Sequence, residues 1–133
     1  MNLEARIKQV IQRSHSPVIL RAELRSLGSS SQLSVVLRAL QDKGVLVRIG
    51  VGIYAKAKLS VLSGKPIPVS PIEVLAPLAL QKLGVKVQAP RRVREYNSGA
   101  TTQIPLGLVL NVGRRRITRT IGFNGKILEY ERN

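Results

Sequence analysis

Between Ser29 and Gly44 the order of residues leaves little choice of structure. Ser29-Ser30-Ser31-Gln32 offers several hydroxyl N-caps for a helix. Leu33, Val36, Leu37 and Leu40 follow at i, i+3, i+4 and i+7, so one side of that helix must be buried. The same spacing turns Ser31, Gln32, Ser34, Val35 and Arg38 outward. Gly44 ends the helix after Asp42-Lys43. Beyond it, residues 45–49 and 53–57 are β-rich runs joined by Gly50-Val51-Gly52, a tight glycine hairpin.

The flanking sequence completes a recognisable order. Leu3, Ile7, Val10 and Ile11 recur at helical spacing, with Glu4, Arg6, Lys8 and Gln12 outside, predicting a helix over 2–13. Ser14-His15-Ser16-Pro17 breaks it, and Val18-Ile19 is a short β-branched pair suited to a small sheet. A second helix over about 21–27 stops at Gly28, expected as a left-handed cap. Helix, stub strand, helix, turn, helix and hairpin together describe a winged helix-turn-helix over residues 1–60.

Ser60, Ser63, Gly64, Pro66, Pro68, Ser70 and Pro71 punctuate residues 61–70, which read as a linker with little regular structure. A helical pattern resumes at Ile72 through Val74-Leu75, Leu78-Ala79 and Lys82-Leu83 to Gly84. Pro77 inside it predicts a kink or a late start. Val85 and Val87 read as a strand. Residues 108–112, 116–121 and 126–130 read as an antiparallel meander, with Asn124-Gly125 as a hairpin turn. The expected fold class is α+β: a winged helix (1–60), a linker (61–70) and a small helix-plus-antiparallel-meander domain (71–133).

Charge narrows the function. Twenty-two Lys and Arg face seven Asp and Glu, a formal net charge of +15. Residues 1–60 contribute +7 and residues 61–133 contribute +8, so both halves are basic. Such an excess repels itself and persists most readily where a polyanion neutralises it. Aromatic residues make up only 3%, which argues against the stacking platforms that single-stranded nucleic acid requires. Duplex DNA is the expected partner.

Catalysis has little to build on. Glu4, Glu23, Asp42, Glu73, Glu95, Glu129 and Glu131 form no close pair, and general acid–base or two-metal chemistry needs carboxylates held together. Cysteine is absent and His15 is the single histidine, so no catalytic residue, metal or cofactor is expected. Gly50-Val51-Gly52 is followed by no helix and is not a nucleotide-binding loop. With no continuous apolar run at the N-terminus and none of membrane-spanning length, the expected location is cytoplasmic, with no membrane partner.

Duplex contact has a physical basis. Ser29 and Ser30 can cap the Ser-rich helix or bond a phosphate, and the two readings stay open. Ser31, Gln32, Ser34 and Arg38 face outward and can reach base edges or phosphates in a major groove. Arg48, Lys56 and Lys58 flank the hairpin and suit phosphate or minor-groove contact. Arg6, Lys8 and Arg13 add long-range field. Two further clusters, Arg91-Arg92-x-Arg94 and Arg114-Arg115-Arg116 with Arg119, fit either phosphate contact or an acidic protein partner. A structured-RNA binder is a third reading, and palindromic recognition would require a homodimer.

Leu27-Gly28, Leu37-Arg38-Ala39-Leu40, Lys43-Gly44-Val45-Leu46 and Gly52-Ile53-Tyr54-Ala55, within residues 18–57, carry a resemblance. This stretch resembles the winged-helix start of the abortive-infection AbiEi-type antitoxins. Tyr96-Asn97-Ser98-Gly99, Thr102-Gln103-Ile104-Pro105 and the 116–121 run look like their small relatives. The resemblance implies an antitoxin encoded beside a nucleotidyltransferase-like toxin, which represses its own operon by binding inverted repeats. It also implies recognition-helix and wing roles for Ser31, Gln32, Ser34, Arg38, Arg48 and Lys56.

Overall fold

A computed structural model describes residues 2–91 and 108–133, which divide into two compact units, 1–70 and 71–133. Each is taken by itself.

Unit 1 opens with α1 (Leu3–Arg13), whose N-terminus is capped by Asn2 accepting from the Ala5 N–H at 2.8 Å. Ile7 and Ile11 are buried, whereas Val10 of the expected stripe is 41% exposed. Strand β1 (Val18–Leu20) leads into a 3₁₀ helix, Arg21–Leu27, stapled at its start by Glu23 accepting from the Leu20 N–H. Gly28 is extended (φ −172°), not left-handed as expected. Its value is space: a Cβ there would stand 3.0 Å from Leu3 Cδ2 and 3.2 Å from Gln32 Oε1.

Helix α2 (Ser30–Asp42) follows. The Ser29 hydroxyl accepts from the Gln32 N–H at 3.2 Å, and Gln32 Oε1 accepts from the Ser29 N–H at 3.0 Å, a reciprocal capping box. At its other end Gly44 (φ +74°) closes a Schellman turn, with Gly44 N–H on Gln41 O and Val45 N–H on Leu40 O. Leu33, Val36, Leu37 and Leu40 join Ile7, Ile11, Ile19, Leu24, Leu46 and Tyr54 in one core. Strands β2 (Leu46–Gly50) and β3 (Ile53–Leu59) form the wing hairpin, and the sheet order is β1-β3-β2, all antiparallel.

Residues 61–70 are not an irregular linker throughout. Strand β4 (Pro66–Pro68) pairs antiparallel with the far half of β3, matching Ala57 to Pro68 and Leu59 to Pro66. Prolines had signalled a connector, yet an edge strand tolerates them where the missing N–H faces away from the ladder.

Unit 2 begins with α3 (Ile72–Lys82), which starts at Ile72 and contains Pro77, so the late start is not seen. Gly84 and Val85 repeat the Schellman closure seen after α2. Val85 and Val87 form no strand; Gln88 instead makes one antiparallel bridge to Asn111. Strands β5 (Val109–Asn111), β6 (Gly122–Phe123), β7 (Lys126–Ile127) and β8 (Glu129–Glu131) complete the unit. The β6–β7 hairpin turns at Asn124 and Gly125 (φ 50° and 85°), as the Asn-Gly pair predicts. However, β5 pairs with β8 in parallel, and residues 116–121 are not a strand, so the expected antiparallel meander is replaced by a hairpin beside a parallel pair. Leu75, Leu80, Val85, Leu110, Val112, Ile121 and Leu128 are buried. Among the described residues no helix is long and apolar enough to cross a membrane.

Candidate nucleic-acid interface

The α2 stripe sets the direction of everything else on that helix. Ser30, Ser31, Gln32, Ser34, Val35 and Arg38 are all exposed, with Val35 at 70%. Their polar groups are not equally available. Gln32 spends its carbonyl oxygen on the capping box. The Ser34 hydroxyl donates to Ser30 O at 3.1 Å. Ser31 and Arg38, by contrast, make no side-chain hydrogen bond or ion pair among the described residues. Arg38 stands two turns into the helix, and it makes no ion pair with Asp42, its exposed neighbour one turn further on.

Nothing in the sequence marks Arg21, which there is only the first residue of a short helix. In the fold it is the clasp of the interface. Its backbone N–H donates to Gly52 O at 2.9 Å, inside the wing turn. Its guanidinium Nη2 reaches Ser30 O at 2.7 Å and the Ser30 and Ser34 hydroxyls at 3.1 Å each. One residue thereby holds the wing turn next to the first turn of α2. No periodicity reports such a contact, because it joins positions nine, thirteen and thirty-one residues apart.

This places a guanidinium beside the positive end of the α2 dipole, in a first turn with no acidic residue. The face is therefore electropositive from backbone and side chain together, and it is complementary to phosphate.

The wing residues separate. Arg48 is exposed and its Nε donates to Gly50 O at 3.1 Å, which keeps its base at the wing turn. Lys56 and Lys58 lie four and six residues along β3 from Gly52, about 13 and 20 Å at ~3.3 Å per residue. Lys56 is half-buried, and its ammonium donates to Ser14 O at 2.6 Å. A cation at the last carbonyls of α1 is stabilised by the helix dipole, so Lys56 is committed to the fold. Lys58 is exposed but stands away from the wing turn.

In unit 2, Arg91 is exposed and its backbone N–H donates to Glu131 Oε1. Arg92, Arg94 and the motifs at 96–99 and 102–105 lie outside the described residues. Arg114, Arg115, Arg116 and Arg119 fall in a loop between β5 and β6, all exposed. Arg115 Nη1 donates to Gly84 O at 2.9 Å, at the C-terminal end of α3. The Tyr130 hydroxyl donates to Arg119 O at 2.5 Å; burial pushes the Tyr130 phenol above its ordinary value, with the nearby Arg119 charge opposing.

A four-stranded antiparallel sheet with a wing, packed on α1, a 3₁₀ helix and an exposed-faced α2, defines a winged helix-turn-helix. Residues 5–55 of the chain match the family described as "Transcriptional regulator, AbiEi antitoxin". The match ends within β3, and unit 2 lies outside it. No curated protein and no solved structure gives a significant match.

Proposed function

We propose that the chain is a sequence-specific duplex DNA-binding protein, not an enzyme, in which α2 enters the major groove. The observation that carries this reading is the clasp at Arg21: it holds a wing turn beside the exposed, acid-free first turn of α2. In the proposal Arg38 and Ser31 read or contact the groove, Ser30 meets a backbone phosphate, Ser34 holds the first turn of α2 with Arg21, and Arg48 extends the contact along the wing. Gln32 contributes through its amide nitrogen only, and Lys56 and Lys58 give background field rather than direct contact.

We infer further that the regulated operon is the protein's own and that its counterpart is a toxin encoded beside it; the match to a family described as a transcriptional regulator and antitoxin supports this reading. Two copies on an inverted repeat would match that role. Selecting bound duplexes from a random-sequence pool tests the DNA reading. The wild-type chain should enrich one motif, and Arg38→Ala should lose preference at one base position of it, at a cost of about 1–3 kcal/mol. Enrichment of no motif, or an unchanged motif with Arg38→Ala, would remove α2 as the reader.

A further inference from the structure

Residues 113–120, Gly-Arg-Arg-Arg-Ile-Thr-Arg-Thr, join β5 to β6 without regular structure, yet several hydrogen bonds hold their backbone. The Gly113 N–H donates to Asn111 Oδ1 at 2.8 Å, and Gly113 O accepts from the Asn133 N–H at 2.8 Å. Arg115 reaches Gly84 O, and Arg119 O accepts the Tyr130 hydroxyl. Asn111 is the one polar residue classed as buried among the described residues, at 0% exposure. Its amide nitrogen donates to Glu131 Oε1 at 2.7 Å and Asn133 Oδ1 at 2.9 Å, while its oxygen serves the loop. A fully satisfied buried amide fixes one local arrangement. Here it fixes the start of an arginine-rich loop.

What the loop displays is cationic and hydroxylic. Arg114 and Arg116 are exposed and meet no carboxylate among the described residues. No acidic residue occurs in the sequence between Glu95 and Glu129. Thr118 and Thr120 are exposed hydroxyl donors, and Ile117, the only large apolar side chain, is half-buried. A protein interface needs an apolar centre inside its polar rim. This loop has the rim chemistry alone. Guanidinium forks and hydroxyls on a held backbone match the spaced oxyanions of a phosphodiester chain.

We propose that residues 113–120 are a preorganised arm for nucleic-acid backbone phosphates, a contact additional to the α2 face and independent of it. The arm carries no base specificity, so it raises affinity for any duplex equally.

The test uses the full chain and a labelled duplex of arbitrary sequence, with the binding constant followed against salt. Arg114→Gln/Arg116→Gln is compared with Lys65→Gln/Lys86→Gln, a pair of exposed lysines that removes the same charge elsewhere. The loop variant should show a slope shallower by about 2, at ~0.9 per phosphate contact, and on the order of tenfold weaker binding. The lysine variant should keep the wild-type slope, and Arg114→Lys/Arg116→Lys should recover most of the loss. Matching urea midpoints show that folding is unaffected, and the motif chosen from a random pool should stay that of the wild type. Equal slopes for the two Gln variants would reduce the effect to diffuse charge and overturn the proposal. So would a loop variant that keeps its duplex affinity but no longer binds polyglutamate, which assigns the loop to an acidic protein. Neither result bears on whether Arg38→Ala changes base preference.

Discussion

The two basic surfaces of this chain are built in opposite ways. On α2, side-chain direction follows from a regular helix with one buried side: Leu33, Val36, Leu37 and Leu40 point in, so Ser31 and Arg38 point out. In the 113–120 loop nothing periodic sets direction. The backbone there is held by a buried amide, a tyrosine hydroxyl and the Asn133 N–H. Hydrophobic burial organises the first surface, and directional hydrogen bonding organises the second. The first should therefore fail by loss of packing and the second by loss of a polar partner.

Leu37→Ala tests the packing side and should have the largest effect. Leu37 is 1% exposed at the centre of the unit 1 core, and its truncation should cost about 2–5 kcal/mol in denaturant unfolding. A loss well under that range would mean that α2 is not anchored as described. Asn111→Leu addresses the polar side. It strands the Gly113 N–H and removes the donor to Glu131 and Asn133, for an expected cost of about 1–3 kcal/mol. Hydrogen exchange should show the Gly113 amide losing protection first; unchanged protection would detach the loop from Asn111.

Smaller effects sharpen the comparison. Arg21→Ala removes bonds between exposed groups, so global stability should hardly change. Duplex affinity should fall about fivefold, near 1 kcal/mol, because the first turn of α2 loses its guanidinium tie while only the backbone bond to Gly52 in the wing turn remains. If Arg21 instead touched phosphate, the salt slope would drop by about 1 as well. Tyr130 gives the smallest effect. Burial raises its phenol in the folded state above the ordinary 10.0, so the folded chain holds that proton more tightly. Its contribution to stability is complete below pH 10.0 and is lost as pH rises through the raised folded value. Wild-type unfolding midpoints should fall across that alkaline range more than those of Tyr130→Phe; equal decline would remove the phenol from the account.

Legibility in the sequence divides along the same line. The α2 stripe, the glycine-turned wing, the α1 helix and the Asn124-Gly125 hairpin were all readable, because each is a short-range pattern with a fixed period or turn chemistry. Gly28 was misread since a glycine after a helix more often adopts a left-handed cap than relieves a contact with Leu3. Pro66 and Pro68 concealed β4, and the parallel β5–β8 pairing joins three-residue strands twenty positions apart, which no local signal reports. Among the interface residues, outward direction was legible for Ser31 and Arg38. Lys56, which serves α1, and Arg21, which clasps the wing, depend on tertiary contacts that spacing does not encode.

The central claim is that the outer side of α2 lies against a duplex. The chain has no cysteine, so Val35→Cys introduces a single attachment point for a photoreactive label on that side, and Leu62→Cys places one at the exposed turn between β3 and β4. Irradiation with bound duplex should cross-link the Val35 position to bases and leave the Leu62 position unreacted. Cross-linking at Leu62 with none at Val35 would contradict the account.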